Sequence, residues 1–417
     1  MSELLTVSET AKKLGVCPET VRRWDNEGKL KAMRHPINNY RTYKADDVEN
    51  LSFLSVLDET LSQNHTHITP QRHFTSIELF AGAGGLALGL EKAGFEHILL
   101  NEIDKHAAET LRLNRPNWNV VEGDIADIDF TPYKGKVDLV TGGFPCQAFS
   151  YAGNKLGFKD TRGTLFHEFA RCIKETEPNI CIGENVRGLF NHDGGKTLKT
   201  MIRVLEELGY DVLQPQVVKA INYNVPQKRE RLIIVGIKKG LGASFQYPQP
   251  QPKIYTLRDA LKAGDLFDTD VSQSNGQKYP QRKKEVLDLV PPGGYWRDLP
   301  VDLQKEYMQK SFYLGGGKTG MARRISWDEP CLTLTCAPAQ KQTERCHPEK
   351  TRPFKVREYA RIQTFPDDWS FAGSTGQWYK QIGNAVPVNL AYFIGQSVVQ
   401  SLNNLEQEKS STLQKSA

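Results

Sequence analysis

The sequence predicts an α/β protein built around a doubly wound, mostly parallel sheet. Short apolar runs alternate with amphipathic stretches from Ser76 to about Lys238, which is the pattern of strands followed by covering helices. Several of these runs end in Gly-rich or acidic clusters, at the carboxyl ends of strands where open α/β sheets bind ligands. The stretches 1–58 and 240–355 lack the alternation and read as separate units. Charged residues are 25% and hydrophobic residues 39% of the 417, which excludes a mostly disordered chain.

In residues 1–58, Ser8 is a candidate N-cap for a short helix through Ala11 and Leu14. Gly15 breaks it, and Pro18 opens a second helix carrying Arg22, Arg23 and Trp24. Tyr40–Tyr43 reads as a short strand and Asp46-Asp47-Val48 as the start of a last helix. Helix, Gly-containing turn, helix is a helix-turn-helix layout; a small protein-docking module is the alternative. Residues 59–73 are polar and aperiodic, hence a linker. The strands expected in the body are 76–80, 97–102, 137–141, 179–183, 216–221 and 232–237. The helices are 85–93, 105–113, 165–177 and 197–208. Residues 74–239 and 356–402 form this body, with helices over 356–363 and 388–402. Residues 240–355, rich in Pro, Gln, Gly and aromatics, form a small irregular domain, and 403–417 is expected to be a disordered tail.

Lys plus Arg number 54 against 49 Asp plus Glu, and the excess is local. Residues 1–44 carry nine basic and five acidic side chains, and 278–361 carry 17 and ten. Basic stretches suit a nucleic-acid partner or a solvated surface. Seven scattered cysteines, with no CxxC pair, predict neither a disulfide framework nor a metal site; Cys331, Cys336, Cys346 and His347 match no common zinc spacing. No apolar run reaches a membrane span, and the first residues lack a secretory pattern. A soluble cytoplasmic protein is expected.

Seven clusters carry candidate chemistry. Glu78–Gly85 (ELFAGAGG) sits where the first strand of the body turns into a helix. Glycines there let a backbone approach a nucleotide, though they also serve a plain tight turn. Glu102, in NEID, lies where an acidic residue accepts from ribose hydroxyls, and Asp124 in GDI could meet an adenine amino group. Together they point to an adenosine-type cofactor. GGFPCQAFS places Cys146 on a constrained loop after a strand, a candidate nucleophile. GENV adds Glu184 for acid chemistry or a bond to a ring nitrogen. In QKRER, Arg229 and Arg231 alternate along an extended chain and could hold a base carbonyl or phosphate. Gly383-Asn384 in YKQIGNAVP suits a turn before a helix near Pro387.

In this order, FAGAGG, NEID, GDI, GGFPCQAFS, TRGTLF, GENV, QKRER, REYARIQTFP and YKQIGNAVP resemble the DNA cytosine-5 methyltransferase family over residues 75–400. One departure is Glu78, where many members carry Asp. The resemblance implies an S-adenosylmethionine-dependent fold, with 240–355 as target-recognition domain. S-adenosyl-L-methionine would meet Phe80, Ala81, Gly82, Gly84, Gly85, Leu86, Glu102, Ile103, Asp124, Ile125, Pro145, Asn384 and Ala385. The target cytosine would flip out of double-stranded DNA, Cys146 would attack C6, Glu184 would hold N3, and Arg231 would hold O2 with Arg229 in support. Gln147, Ser150, Thr333, Leu334 and the run 340–343 are expected to face DNA. A cognate restriction endonuclease acting on the same site is implied as a functional partner, without direct binding, and a monomer is expected.

The N-terminal unit, VSETAKKLGVCPETVRRWDNEGKL with YRTYKADDV, resembles MerR-like and excisionase-like winged helix-turn-helix domains. Arg22, Arg23 and Arg41 are its expected DNA contacts. Competing readings are a tRNA-methylating relative, a regulator built on an inactive enzyme, and an NAD-dependent oxidoreductase. The last leaves PCQ, ENV and GNAVP unexplained.

Overall fold

The computed structural model describes residues 4–14, 16, 18–35, 39–49, 67–145, 164–314 and 318–416. The N-terminal unit holds β1 (Leu4–Thr6), α1 (Val7–Lys13), α2 (Pro18–Asn26), β2 (Met33–Arg34) and β3 (Arg41–Lys44). Thr6, rather than Ser8, caps α1, because its hydroxyl and the Glu9 carboxylate bond each other's backbone amides. Strand β3 pairs with both β1 and β2, and Val21, Tyr43 and Val48 fill a small core. Glu19 reaches Lys219 in the body at 2.5 Å.

The body follows as β4 (Phe74–Leu79), α3 (Gly85–Ala93), β5 (Phe95–Glu102), α4 (Lys105–Asn114), β6 (Val120–Glu122), β7 (Leu139–Gly142), α5 (Leu165–Thr176), β8 (Ile180–Val186), α6 (Lys196–Glu207), β9 (Tyr210–Val212), β10 (Gln216–Lys219), β11 (Gln227–Lys228) and β12 (Glu230–Lys238). Eight of these strands form one sheet in the order β10-β12-β8-β7-β4-β5-β6, with β9 also on β12. The ladders from β8 through β6 are parallel; β12 runs antiparallel to both β8 and β10. A strand covered on both faces reads as a continuous apolar run, and β12 is buried from Arg231 through Ile237. The short β6 and β9 escaped the sequence reading because three residues give no period.

The strand order reverses at β4, which has β5 on one side and β7 on the other. The loops after β4 and β7 therefore diverge from a crevice at the carboxyl edge.

The irregular region contains α7 (Leu257–Leu261), α8 (Gln281–Asp288), α9 (Val301–Met308) and β13 (Cys331–Leu332), which pairs parallel with β11. Its own core joins Tyr279, Leu287, Trp296, Met308 and Cys346. Leu257, Ile325 and Leu334 instead share a core with α10 (Val356–Ile362) and α11 (Thr375–Asn384). The last helix, α12, spans Val388–Ser416 and corrects the expectation of a disordered tail. Leu402 and Leu405 are buried, Asn403 bonds Gln71 N and Thr69 O, and Glu406 pairs with Arg72. The same bonds strap residues 67–73 of the expected linker onto the body. Among the described residues no helix is long and apolar enough to cross a membrane.

Candidate active site

The Gly-rich turn follows β4 directly. Phe80 (φ 59°) and Gly82 (φ 56°) adopt left-handed backbone there. A Cβ on Gly82 would find nothing within 4 Å, so that side of the turn is open. Glu102, at the end of the neighbouring β5, accepts from the amides of Gly82 and Asp104, each at 2.7 Å. Each carboxylate oxygen takes one amide and retains a free lone pair. Burial raises the Glu102 carboxyl above its ordinary value. Ile103 is 68% exposed beside it, and Asp124, exposed, caps the next turn through Ala126 N. Asn101 ties the two turns by donating to the Val121 and Gly123 carbonyls. Sequence reasoning found its block, NEID, without singling it out.

Other expected cofactor residues turn inward. A Cβ on Gly84 would strike Leu111 and Trp369, and one on Gly85 the Val386 carbonyl. Leu86 and Ile125 belong to hydrophobic cores. These four shape the crevice through packing. Asn384 is exposed at the end of α11 and accepts from the Cys336 thiol at 2.9 Å, while Ala385 is buried behind it.

The second corner lies at the ends of β7, β8 and β12. Cys146, Gln147 and Ser150 lie outside the described residues, but the residues just before them are placed. Pro145 is exposed, and the Phe144 carbonyl accepts from Asn185 Nδ2 at 2.8 Å. Glu184, on β8, stands with Oε1 2.5 Å from Arg231 Nε, both side chains about nine-tenths buried. A Cβ on Gly143 would come within 3.1 Å of the Glu184 carboxylate, so Glu184 sits against the loop that leads to Cys146. Glu78, fully buried near Glu102 and Glu184, is raised well above the usual carboxyl range by its burial. Its Oε2 finds no partner among the described residues. Three carboxyl groups thus gather at the switch point.

Arg229, expected in support of Arg231 near the base, turns into the interior instead. It is 2% exposed, and its guanidinium donates to Leu334 O at 3.1 Å and Gly383 O at 2.8 Å. Burial lowers it from its ordinary value. Gln227 accepts from Leu334 N and donates to Gln363, which donates to the Ile382 and Ala385 carbonyls. Both glutamines sit inside recognised blocks, yet no local signal marks a pairing 136 residues apart.

Leu334 is also corrected: it is 1% exposed and packs in the core. Thr333 donates to Lys228 O and its carbonyl takes Arg345. Gln340 and Gln342 of the following run are exposed. In the N-terminal unit Arg22 pairs with Glu19, Arg23 with Glu27, and Arg41 clamps β3 to α2 through Asp25 at 2.7 Å. Among the described residues no group of three His, Cys, Asp or Glu is placed to hold a metal. Cys331 and Cys346 lie in different cores and Cys336 is exposed.

Fold and site together define a doubly wound α/β protein with an acidic crevice at its switch point. The family model for C-5 cytosine-specific DNA methylase matches residues 74–400, and that for MerR HTH family regulatory protein matches 5–60. The chain is 62% identical to Type II methyltransferase M.Eco47II of Escherichia coli over 97% of both chains. It is 58% identical to Type II methyltransferase M.PspPI of Psychrobacter sp. (strain TA137), covering 94% of this chain and 95% of that one. A prophage-encoded E. coli protein described as a DNA modification methyltransferase superposes with a TM-score of 0.56 at 26% identity, over 79% of this chain and 99% of its own. The chain belongs to the C-5 cytosine-specific DNA methylase family and is a DNA (cytosine-5-)-methyltransferase with a MerR-like N-terminal unit.

Proposed function

We propose that the chain methylates C5 of a cytosine flipped out of double-stranded DNA, through a covalent bond between Cys146 and C6. The donor in this reading is S-adenosyl-L-methionine, which supplies an electrophilic methyl group once bound. Its cationic sulfonium and ammonium suit a crevice rimmed by the Glu102 carboxylate. Glu102 and Ile103 would take the ribose side, Asp124 the adenine, and Asn384 the methionine side. The observation that carries the reading is the Glu184–Arg231 pair at the root of the Cys146 loop, across the switch point from Glu102.

C5 of cytosine is a poor nucleophile until a bond at C6 makes the ring an enamine. The Cys146 thiolate adds to C6, and the C5–C6 electron pair becomes available at C5. Glu184 holds the proton at N3 and Arg231 the O2 atom. Arg229 keeps the turn at Gly383 and the segment at Leu334 in place. C5 would take the methyl group with S-adenosylhomocysteine as the by-product; its proton would then pass to water as the C6–S bond breaks and releases the Cys146 thiolate. We assign the enzyme to a Type II restriction–modification system, protecting DNA from a cognate endonuclease at the same site. It would act as a monomer in the cytoplasm, at the nucleoid when DNA-bound. The N-terminal unit adds a second DNA contact, for anchoring or for control of its own operon. Unchanged DNA affinity and promoter output on deleting residues 1–60 would exclude both roles.

The deciding experiment expresses the protein in cells lacking cytosine methylation and maps 5-methylcytosine at base resolution. A single methylated motif, absent with Cys146→Ala, is expected. No methylation from a soluble, DNA-bound protein would overturn the reading.

A further inference from the structure

The segment that follows β13 lies directly against the end of α11. A Cβ on Gly383 would fall 2.6 Å from the Thr335 carbonyl and 2.7 Å from Cys336 N, so only hydrogen fits between the two backbones. Arg229 holds both sides of this seam through the Leu334 and Gly383 carbonyls. Tyr359, buried on α10, holds the next residue: its hydroxyl accepts from Thr335 N at 3.2 Å and donates to Thr335 O at 2.8 Å. Cys336 therefore starts from a backbone fixed at both preceding residues.

From that backbone Cys336 Sγ donates to Asn384 Oδ1 at 2.9 Å, across 48 residues of sequence. Asn384 is exposed, and its carboxamide has no second partner among the described residues. A solvent-facing side chain keeps its rotamer freedom unless a bond removes it, and here the thiol supplies that bond. Partial desolvation of the sulfur pushes the Cys336 thiol above its ordinary value, although the residue as a whole is exposed. The thiol therefore keeps its proton at neutral pH and acts as the donor. A carboxamide has one accepting and one donating end. With Oδ1 engaged, the end left for a ligand is Nδ2, whose protons suit a carboxylate.

We propose that Cys336 is a positioning residue for cofactor binding: its thiol engages Asn384 Oδ1 and thereby commits Nδ2 to the methionine carboxylate of S-adenosyl-L-methionine. The proposal rests on the reading above, in which Asn384 takes the methionine side, and adds a residue that reading does not use. It makes cofactor binding depend on a side chain carried by the irregular region.

The test compares wild type, Cys336→Ala, Cys336→Ser, Asn384→Ala and the Cys336→Ala/Asn384→Ala double variant. S-adenosylhomocysteine affinity is read by isothermal titration, and rates are measured on unmethylated phage λ DNA. Alkylation of Cys336 by iodoacetamide is followed separately by peptide mass spectrometry. Loss of one hydrogen bond should weaken S-adenosylhomocysteine binding by Cys336→Ala about two- to twelvefold. The KM for S-adenosyl-L-methionine should rise in step, while kcat, DNA affinity and melting temperature stay at wild-type values. Cys336→Ser retains a donor and should bind like wild type. Adding Cys336→Ala to Asn384→Ala should cost nothing further, because the thiol acts only through that carboxamide. In Asn384→Ala the thiol, freed of its partner and less covered, should alkylate about twofold faster or more. Unchanged affinity in Cys336→Ala, a further loss in the double variant, or a Cys336→Ser protein as weak as Cys336→Ala would overturn the proposal. So would an equal loss of DNA affinity, which marks a general loosening of the seam. A wild type that does not bind S-adenosylhomocysteine contradicts the donor reading alone. Alkylation then still decides the contact, and an equal rate in Asn384→Ala overturns it.

Discussion

Substituting Gly85 by Ala tests whether the Gly-rich turn is built for packing or for ligand access. A Cβ there would stand 2.2 Å from the Val386 carbonyl oxygen and 3.1 Å from Ala385 Cβ. Carbon contacts settle near roughly 3.5 Å, so α3 and the turn at 385–387 must part by about 1 Å. That turn cannot yield freely, since Gln363 bonds the Ile382 and Ala385 carbonyls and Arg229 bonds Gly383 O. Overpacking of this kind costs about 1–3 kcal/mol. Ala is the better helix former by up to about 1 kcal/mol, but at the first position of α3 little of that is realised. At about 2–4 °C per kcal/mol for a large domain, Gly85→Ala should melt roughly 2–12 °C below wild type. Gly82→Ala provides the contrast. Its Cβ meets nothing, so it carries only the backbone penalty of about 1–2 kcal/mol and should chiefly weaken S-adenosylhomocysteine binding. Calorimetric melting and isothermal titration of both variants read this difference. A Gly85→Ala protein melting within 1 °C of wild type would refute the packing argument.

Two further outcomes are expected. Asn185→Ala strips the Phe144 carbonyl of a buried donor, worth about 1–3 kcal/mol, and loosens the root of the Cys146 loop. Turnover should fall at least tenfold while S-adenosylhomocysteine affinity stays unchanged; equal losses in both would place Asn185 in the cofactor crevice instead. Burial holds the His97 imidazole down to about 4, from an ordinary 6.5, in bonds to Ser76 Oγ and Ala87 O. The unfolded chain binds the extra proton between these values. Stability from this group is therefore full above 6.5 and lost as pH falls toward 4, by up to about 3 kcal/mol. Urea midpoints across that window should fall less steeply for His97→Gln, and parallel slopes would count against the assignment.

The body was legible in the sequence because its central strands are buried on both faces and two of its helices start at side-chain caps, Asp104 and Thr164. The expected helix 85–93 matches α3 residue for residue, and Thr164, which caps α5, immediately precedes the helix expected from 165. Where partners lie far off in sequence, legibility failed. The tail reads as polar, yet α12 continues because Leu405 and Asn403 meet surfaces supplied by residues 67–73 and the sheet. Leu334 was expected to face DNA, but it is buried against α10 and α11, which follow it in sequence. The irregular region hid α8 and α9, since eight residues beside Pro and Gly display barely two turns of period.

Arg229 shows where a sound rule stops. Side chains two apart share a face within one ladder, and this suggested that Arg229 and Arg231 act together on a base. Two different ladders meet at this point, however. Gln227 and Lys228 pair with β13, while β12 begins at Glu230 and pairs with β8 and β10. Arg229 falls between them and belongs to neither. Its guanidinium is free to bond across the seam, to the recognition segment at Leu334 and to the turn before Ala385. Arg231, the second residue of β12, lies opposite Val186 in the ladder with β8 and reaches Glu184. The first arginine thus fixes the segment at Leu334 against the turn at Gly383, and the second pairs with Glu184 at the end of β8. The QKRER block therefore joins two segments through Gln227 and Arg229 and pairs with Glu184 through Arg231, a division that only the strand break reveals.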